Sequence, residues 1–126
     1  MNKKSVQGKI LVPKNALLQP HELIVASILS WTGSDVEFLP VSNTHTADIK
    51  FRGKEWEIKS PKGSSSRTLE NNMRLALKQS SNIIIDLSRI KIPEHKCIMT
   101  IKNRAQKLGR IKKIIIITKN KTIIEP

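Results

Sequence analysis

The stretch Asp-Ile-Lys-Phe-Arg-Gly-Lys-Glu-Trp-Glu-Ile-Lys-Ser-Pro-Lys, residues 48–62, decides the fold. Two runs of alternating apolar and polar residues lie in it, separated by a turn-prone Gly-Lys pair at 53–54. This pattern predicts a β-hairpin whose apolar side chains share one face. The same alternation sends Asp48, Glu57 and Lys59 to the other face, where they can reach one another.

These three side chains form a candidate catalytic group. Two carboxylates at this spacing can hold a divalent cation through oxygen ligands, and a lysine beside them can stabilise charge or position a water molecule. We therefore expect Asp48, Glu57 and Lys59 to be catalytic, with Asp48 and Glu57 binding Mg²⁺ or a similar cation. His45, in the preceding polar loop, is a candidate general base because histidine is the commonest such group.

Length and composition limit the classes to which this protein can belong. The 126 residues suffice for one hydrophobic core. No run of about 18 apolar residues predicts a membrane span. The N-terminus has charges but no apolar segment typical of a secretory signal. Aromatic residues are too scarce for a base-stacking platform, and the single Cys97 excludes an internal disulfide.

Charge is distributed unevenly along the chain. The net charge is +13, and residues 48–126 hold nineteen Lys and Arg against seven acids, whereas residues 1–47 hold four against three. The positive electrostatic field of so many basic residues attracts polyanions, of which nucleic acid is the commonest. The alternatives are a merely soluble basic protein and one that docks on an acidic protein.

Hydrophobic periodicity, together with the positions of Pro and Gly, predicts the element order αβββαβαββ. A helix begins at Pro20 and stops at Gly33, and strands follow at 36–39, 48–51 and 55–59; a helix at 69–80, a strand at 83–85, a helix at 93–108 and a hairpin at 114–124 complete the order. This predicts one α/β (α+β) domain, 1–126, with a mixed sheet and flanking helices. Its parts are an N-terminal extension at 1–18, a catalytic core at 20–86 and a basic helix with closing hairpin at 93–126.

Four local expectations concern the first two helices. The first helix is broadly apolar, so we expect burial over much of its surface. Glu22 lies in its first turn, where the helix dipole favours a carboxylate, and is a candidate supporting residue. In the second helix, Thr68 is the expected N-cap and Glu70 with Arg74 an i,i+4 ion pair.

The segment after the hairpin suits phosphate contact. Residues 60–67 bring small residues, backbone donors and cations together, without the pattern of a nucleotide-binding P-loop. The candidate supporting residues are Ser60, Lys62, Thr68, Arg74 and Gln79. The candidate nucleic-acid-binding residues are Arg67, Lys78, Arg89, Lys102, Arg104, Lys107 and Arg110.

The element order and the spacing of Asp48, Glu57 and Lys59 resemble the PD-(D/E)XK nuclease core, over roughly 20–86. The resemblance implies that Asp48 and Glu57 bind a magnesium-type cation and that Lys59 lies beside the attacking water. Glu22 and Gln79 fall where some members have supporting polar residues. The proline of that motif is absent, since Thr46 and Ala47 precede Asp48.

A second resemblance covers nearly the whole chain from Glu22 onward. Segments 56–65, 76–83 and 85–87 look like the C-terminal tRNA-nuclease domain of CdiA contact-dependent growth inhibition toxins. This resemblance implies an endonuclease that cuts RNA in the bacterial cytoplasm, with tRNA as the expected substrate. It also implies an acidic immunity protein as a partner.

Three alternatives stay open. Toxin nucleases of this group include members with the barnase/EndoU/colicin/RelE fold, which need no metal. For that fold the candidates that stabilise charge while a 2′-hydroxyl attacks are Lys59, Ser60, Lys62, Thr68, Arg74 and Arg89. Outside the RNA-cutting class, the chain could be a metal-dependent DNA endonuclease of restriction or junction-resolving type, or a basic nucleic-acid-binding module without catalysis.

Overall fold

The computed structural model describes residues 6–16, 18–40 and 47–126. In chain order its elements are β1 (Ile10–Leu11), α1 (Pro20–Ser30), β2 (Val36–Phe38), β3 (Ile49–Phe51), β4 (Lys54–Lys59), α2 (Ser66–Leu77), β5 (Asn82–Asp86), α3 (Glu94–Leu108), β6 (Lys113–Ile117) and β7 (Ile123–Ile124). The expected mixed sheet with flanking helices is confirmed, with β1 added ahead of the expected order. Within these residues, no helix has both the length and the apolar character needed to span a bilayer.

The seven strands form one sheet whose spatial order follows the chain, from β1 to β7. β4, β5 and β6 run parallel, as do β1 and β2, and the other neighbours are antiparallel. The carboxyl ends of β4, β5 and β6 therefore meet at one edge of the sheet. In open α/β sheets that edge is where ligands bind.

Two apolar cores cover opposite faces of this sheet. One packs α1 against a face that includes Trp56 and Ile58, and the other packs α2 and α3 against Ile83 and Ile85. Side chains alternate along a strand, so Glu57, the register partner of Ile83, points to the α2 side. The buried apolar residues of this second core come from α2, β5, the loop after β5, α3 and β6. Its neighbour β4 brings polar side chains to the same face instead.

The hairpin turn lies one residue earlier than expected. Phe51 pairs with Lys54, and the two residues between them, Arg52 and Gly53, both have positive φ, at 53° and 74°. A two-residue hairpin loop of this type needs left-handed backbone at both positions. The Arg52 side chain pairs with Glu125 at 3.1 Å and stacks 4.8 Å above the Phe51 ring.

The burial expected for α1 is wrong for its outer face. Val25 and Leu29 are fully buried. Leu23, Ile24 and Trp31, in contrast, are 42%, 48% and 58% exposed. The helix covers the sheet with one face only, and hydrophobic periodicity along a helix does not show whether a second layer covers its back.

Two expectations for α2 are also wrong. The N-cap is Ser65, whose hydroxyl accepts from the Arg67 amide at 3.2 Å, so Thr68 lies inside the first turn. Glu70 pairs with Arg104 of α3 at 3.8 Å instead of with Arg74. Packing of α3 beside α2 supplies a partner that sequence spacing within one helix does not reveal.

Asp86 ties the loop after β4 to the loop after β5. The carboxylate, 2% exposed, accepts from the hydroxyls of Ser60 at 2.9 Å and Ser88 at 3.0 Å, and from the Ser88 amide at 3.0 Å. Arg89 Nη2 donates to the Ser60 carbonyl at 2.5 Å. These bonds fix the chain where it leaves β4, directly after Lys59.

We predict that Asp86→Ala lowers the free energy of unfolding by about 2–4 kcal/mol, because it leaves the buried Ser60 hydroxyl unpaired and removes two hydrogen bonds from Ser88. Ser60→Ala, which removes one of these bonds, should cost about 1 kcal/mol. Urea denaturation followed by circular dichroism measures both. An Asp86→Ala protein within 0.5 kcal/mol of wild type (roughly the spread of neutral surface changes) would contradict this role.

Candidate active site

Asp48, Glu57 and Lys59 converge on one side of the β3–β4 hairpin. The backbone of Asp48, just ahead of β3, donates to the Trp56 carbonyl at 2.9 Å, and its carboxylate Oδ2 accepts from the Ile58 amide at 2.7 Å. Lys59 Nζ lies 3.4 Å from Glu57 Oε2. The carboxylate of Asp48 is therefore held against the strand that carries the other two side chains.

Glu57 is the electrostatic centre of this group. Its residue is 6% exposed, and burial raises its pKa from 4.5 to about 8. The Asp48 carboxylate adds to the rise in the pKa, while the Lys59 ammonium opposes it. Glu57 therefore holds a proton near neutral pH unless a cation replaces it.

The donor set fits a hard divalent cation that takes only part of its ligands from protein. Mg²⁺ typically binds one or two carboxylates and completes its shell with water and substrate phosphates. Asp48 and Glu57 offer such a pair. Across the described residues, no group of three or more His, Cys, Asp or Glu side chains has a metal-binding arrangement.

One flank of α2 borders the cluster. Glu70 faces α3, as its pair with Arg104 shows, and a helix turns 100° per residue. Thr68 and Asn72 therefore lie on the opposite flank, which runs alongside β4, and Gln79 lies in the turn that follows the helix. All three are half-buried. Asn72, whose Nδ2 donates to the Thr68 carbonyl at 2.8 Å, is a polar residue that sequence reasoning missed.

The other supporting residues have different surroundings. Glu22 Oε1 accepts from the Gln19 amide at 2.8 Å, as part of a capping box at the start of α1. The Ser60 hydroxyl is engaged by buried Asp86. Lys62 is exposed in the loop after β4. Arg74 is exposed on the outer side of α2, and His45 lies outside the described residues.

The expected nucleic-acid-binding residues have different surroundings. Arg104 is paired with Glu70, and the Arg89 guanidinium is committed to the Ser60 carbonyl. Lys102 lines a cavity with Lys112 and Lys113 on the flank of α3 away from α2. Four exposed members remain: Arg67 and Lys78 at the two ends of α2, and Lys107 and Arg110 near the end of α3.

Comparison with solved structures finds the same fold in a toxin. A chain of the CdiA-CT/CdiI toxin and immunity complex from Burkholderia pseudomallei superposes with a TM-score of 0.66 at 22% identity. The match covers 93% of this chain and 99% of that one. At this identity the likeness shows the fold. No curated protein matches the sequence.

The family comparison covers the region that carries the cluster. The model of the contact-dependent growth inhibition CdiA C-terminal domain matches residues 45–123. This is more than half of the chain, and it includes Asp48, Glu57, Lys59 and both helices of the second core. The resemblance of segments 56–65, 76–83 and 85–87 to CdiA C-terminal domains is therefore confirmed as to family, and the chain belongs to the CdiA C-terminal toxin domain family of contact-dependent growth inhibition.

Proposed function

We propose that this toxin domain is an endonuclease that cuts RNA, with tRNA as its substrate, and that Asp48, Glu57 and Lys59 form its active centre. The observation that carries the proposal is the contact of two carboxyl groups and an ammonium in a protein whose net charge is +13. A buried acid held against a second carboxyl group costs stability, and catalysis explains why a chain would keep it.

Each residue of the cluster has a chemical role in this proposal. Asp48, fixed by the Ile58 amide, and Glu57 hold a divalent cation of the magnesium type. When bound, that cation supplies positive charge to the scissile phosphate and lowers the pKa of a water ligand. Lys59, whose side chain is 26% exposed, reaches solvent and donates to a phosphate oxygen or orients the attacking water. Thr68, on the flank of α2, and Gln79, in the turn after α2, contact the substrate.

RNA is the favoured substrate class because of the family and the charge together. The tRNA-nuclease resemblance of segments 56–65 and 76–83 supports tRNA in particular. The net charge of +13 supports binding to a phosphate backbone without reading sequence. DNA meets the same electrostatic requirement, so plasmid DNA belongs in every cleavage assay as the competing substrate.

A toxin nuclease needs an inhibitor in the cell that makes it. The solved relative is a toxin and immunity complex, which supports an immunity protein for this chain too. The net charge of +13 favours an acidic one, because charge complementarity speeds association and selects the partner.

Glu57→Gln and Lys59→Ala should each reduce cleavage of tRNA by roughly 100-fold or more, since each removes a group from the reacting centre. Binding of tRNA should survive. Glu55→Gln and Lys50→Ala are matched controls, because these exposed residues lie on the same two strands outside the cluster. Gel assays with tRNA and plasmid DNA give the rates. Unchanged cleavage by both cluster variants would rule out this active centre.

Excess Mg²⁺ or Mn²⁺ should raise the melting temperature of the wild type, by roughly 2–4 °C at pH 8.5 and by less at pH 6. The pKa of Glu57 is about 8, so at pH 6 the cation must displace a proton and at pH 8.5 it need not. Differential scanning fluorimetry measures this. Asp48→Asn and Glu57→Gln should abolish the shift. No shift at either pH, with full cleavage in excess EDTA, would contradict a cation site.

A further inference from the structure

A second cavity, of about 460 Å³, opens between the start of α2 and the first half of α3. It lies on the flank of α2 opposite Asp48, Glu57 and Lys59. Its lining consists of Ser64, Ser66, Lys91, Ile92, Pro93, Lys96, Met99, Thr100 and Asn103. None of these residues belongs to the active centre proposed above.

The lining has the chemistry of a nucleotide site. Lys91 and Lys96 are exposed cations, and no acidic residue lines the cavity. The hydroxyl and amide groups around the two lysines add further donors for phosphate oxygens. Met99, 61% exposed, forms an apolar wall with Pro93. Binding sites commonly combine such a wall with a few polar groups that fix orientation.

The cavity is built on fixed backbone. Gly63 and Ile90 form a parallel bridge, and the Lys91 amide donates to the Gly63 carbonyl at 2.7 Å. The neighbouring acid, Glu94, accepts from the Lys119 amide at 2.6 Å. The backbone of Lys91 is therefore fixed by its hydrogen bond to Gly63. The Glu94 carboxylate is occupied by its hydrogen bond from the Lys119 amide.

We propose that this cavity binds a phosphate and the adjoining nucleotide of the RNA substrate, away from the bond that is cut. The inference rests on the proposed function, because it assigns a second contact of the same substrate. Ser64 follows Lys59 by five residues, so their Cα atoms are at most roughly 18 Å apart. One RNA molecule can thus cross α2 and occupy both places.

The test is a double variant, Lys91→Gln with Lys96→Gln. Its matched control is Lys54→Gln with Lys113→Gln, which makes the same charge change at the amino ends of β4 and β6, the opposite edge of the sheet. All four lysines are exposed, so both proteins should fold, and thermal unfolding checks this. Binding of fluorescent tRNA is measured by anisotropy at several salt concentrations, in a Glu57→Gln background that prevents cutting.

We expect the cavity variant to bind tRNA about tenfold or more weakly than its parent, and the control variant within about threefold. The plot of log K against log salt should become less steep, its negative slope decreasing in magnitude by roughly 0.7–1.4. This is the effect of losing one or two phosphate contacts to a single strand. In proteins with intact Glu57, the cavity changes should raise KM for tRNA cleavage and leave kcat near its parent value.

Equal losses in the cavity and control variants would overturn the proposal, since the lysines would then act only through the general field of the protein. So would a cavity variant that binds tRNA like the control but loses binding to poly-L-glutamate, an outcome that assigns the cavity to an acidic protein surface. Failure of the proposed nuclease function is distinguishable from failure of the cavity proposal, because the wild type would then bind tRNA without cutting it.

Discussion

The burial of Glu57 beside Asp48 is the constraint on which the site depends. A carboxyl group that is 6% exposed and meets a second carboxyl group resists ionisation, and its pKa rises to about 8. Lys59 offsets part of that cost from 3.4 Å away. Because the folded protein keeps a proton that the unfolded chain has released, the free energy of unfolding falls as the pH rises from the ordinary pKa to the raised one, and this loss persists above it. Binding of a cation, or of a substrate that brings one, relieves this cost.

The rest of the fold keeps this group in place. Parallel pairing of β4 with β5 aligns Glu57 with buried Ile83, so the second core packs directly beside the cluster. On the other face, Trp56 and Ile58 anchor β4 in the first core. The Asp86 carboxylate then fixes the chain immediately after Lys59 through Ser60. A rigid first turn after the strand keeps the lysine oriented, which is what electrostatic preorganisation requires.

Sequence alone predicted the parts of this account that depend on local periodicity. Alternation along the hairpin was enough to bring Asp48, Glu57 and Lys59 to one face, and the apolar runs gave the order of helices and strands. The misses came from contacts between distant segments. The pairing of Glu70 with Arg104 depends on where α3 packs, and the exposure of Trp31 depends on the absence, within the described residues, of an element that covers α1 fully.

Contacts between distant segments also explain two features that no sequence motif indicates. Asp86 is buried and bonded to Ser60, which lies 26 residues earlier in the chain. Lys91 and Lys96 share a cavity with Ser64 and Ser66 because a backbone bridge joins Gly63 to Ile90. Residue types at these positions are ordinary for a loop and a helix surface. Their grouping follows from the parallel strands, whose carboxyl ends gather the connecting loops at one edge.

The most direct measurement is an NMR titration of the Glu57 side-chain carboxyl carbon in the cation-free protein. The account predicts a pKa near 8 for Glu57, a lower pKa in Asp48→Asn, where a like charge is removed, and a higher one in Lys59→Met, where the stabilising ammonium is lost. A Glu57 pKa near its ordinary value of 4.5, unchanged by both substitutions, would contradict the coupling of these three residues.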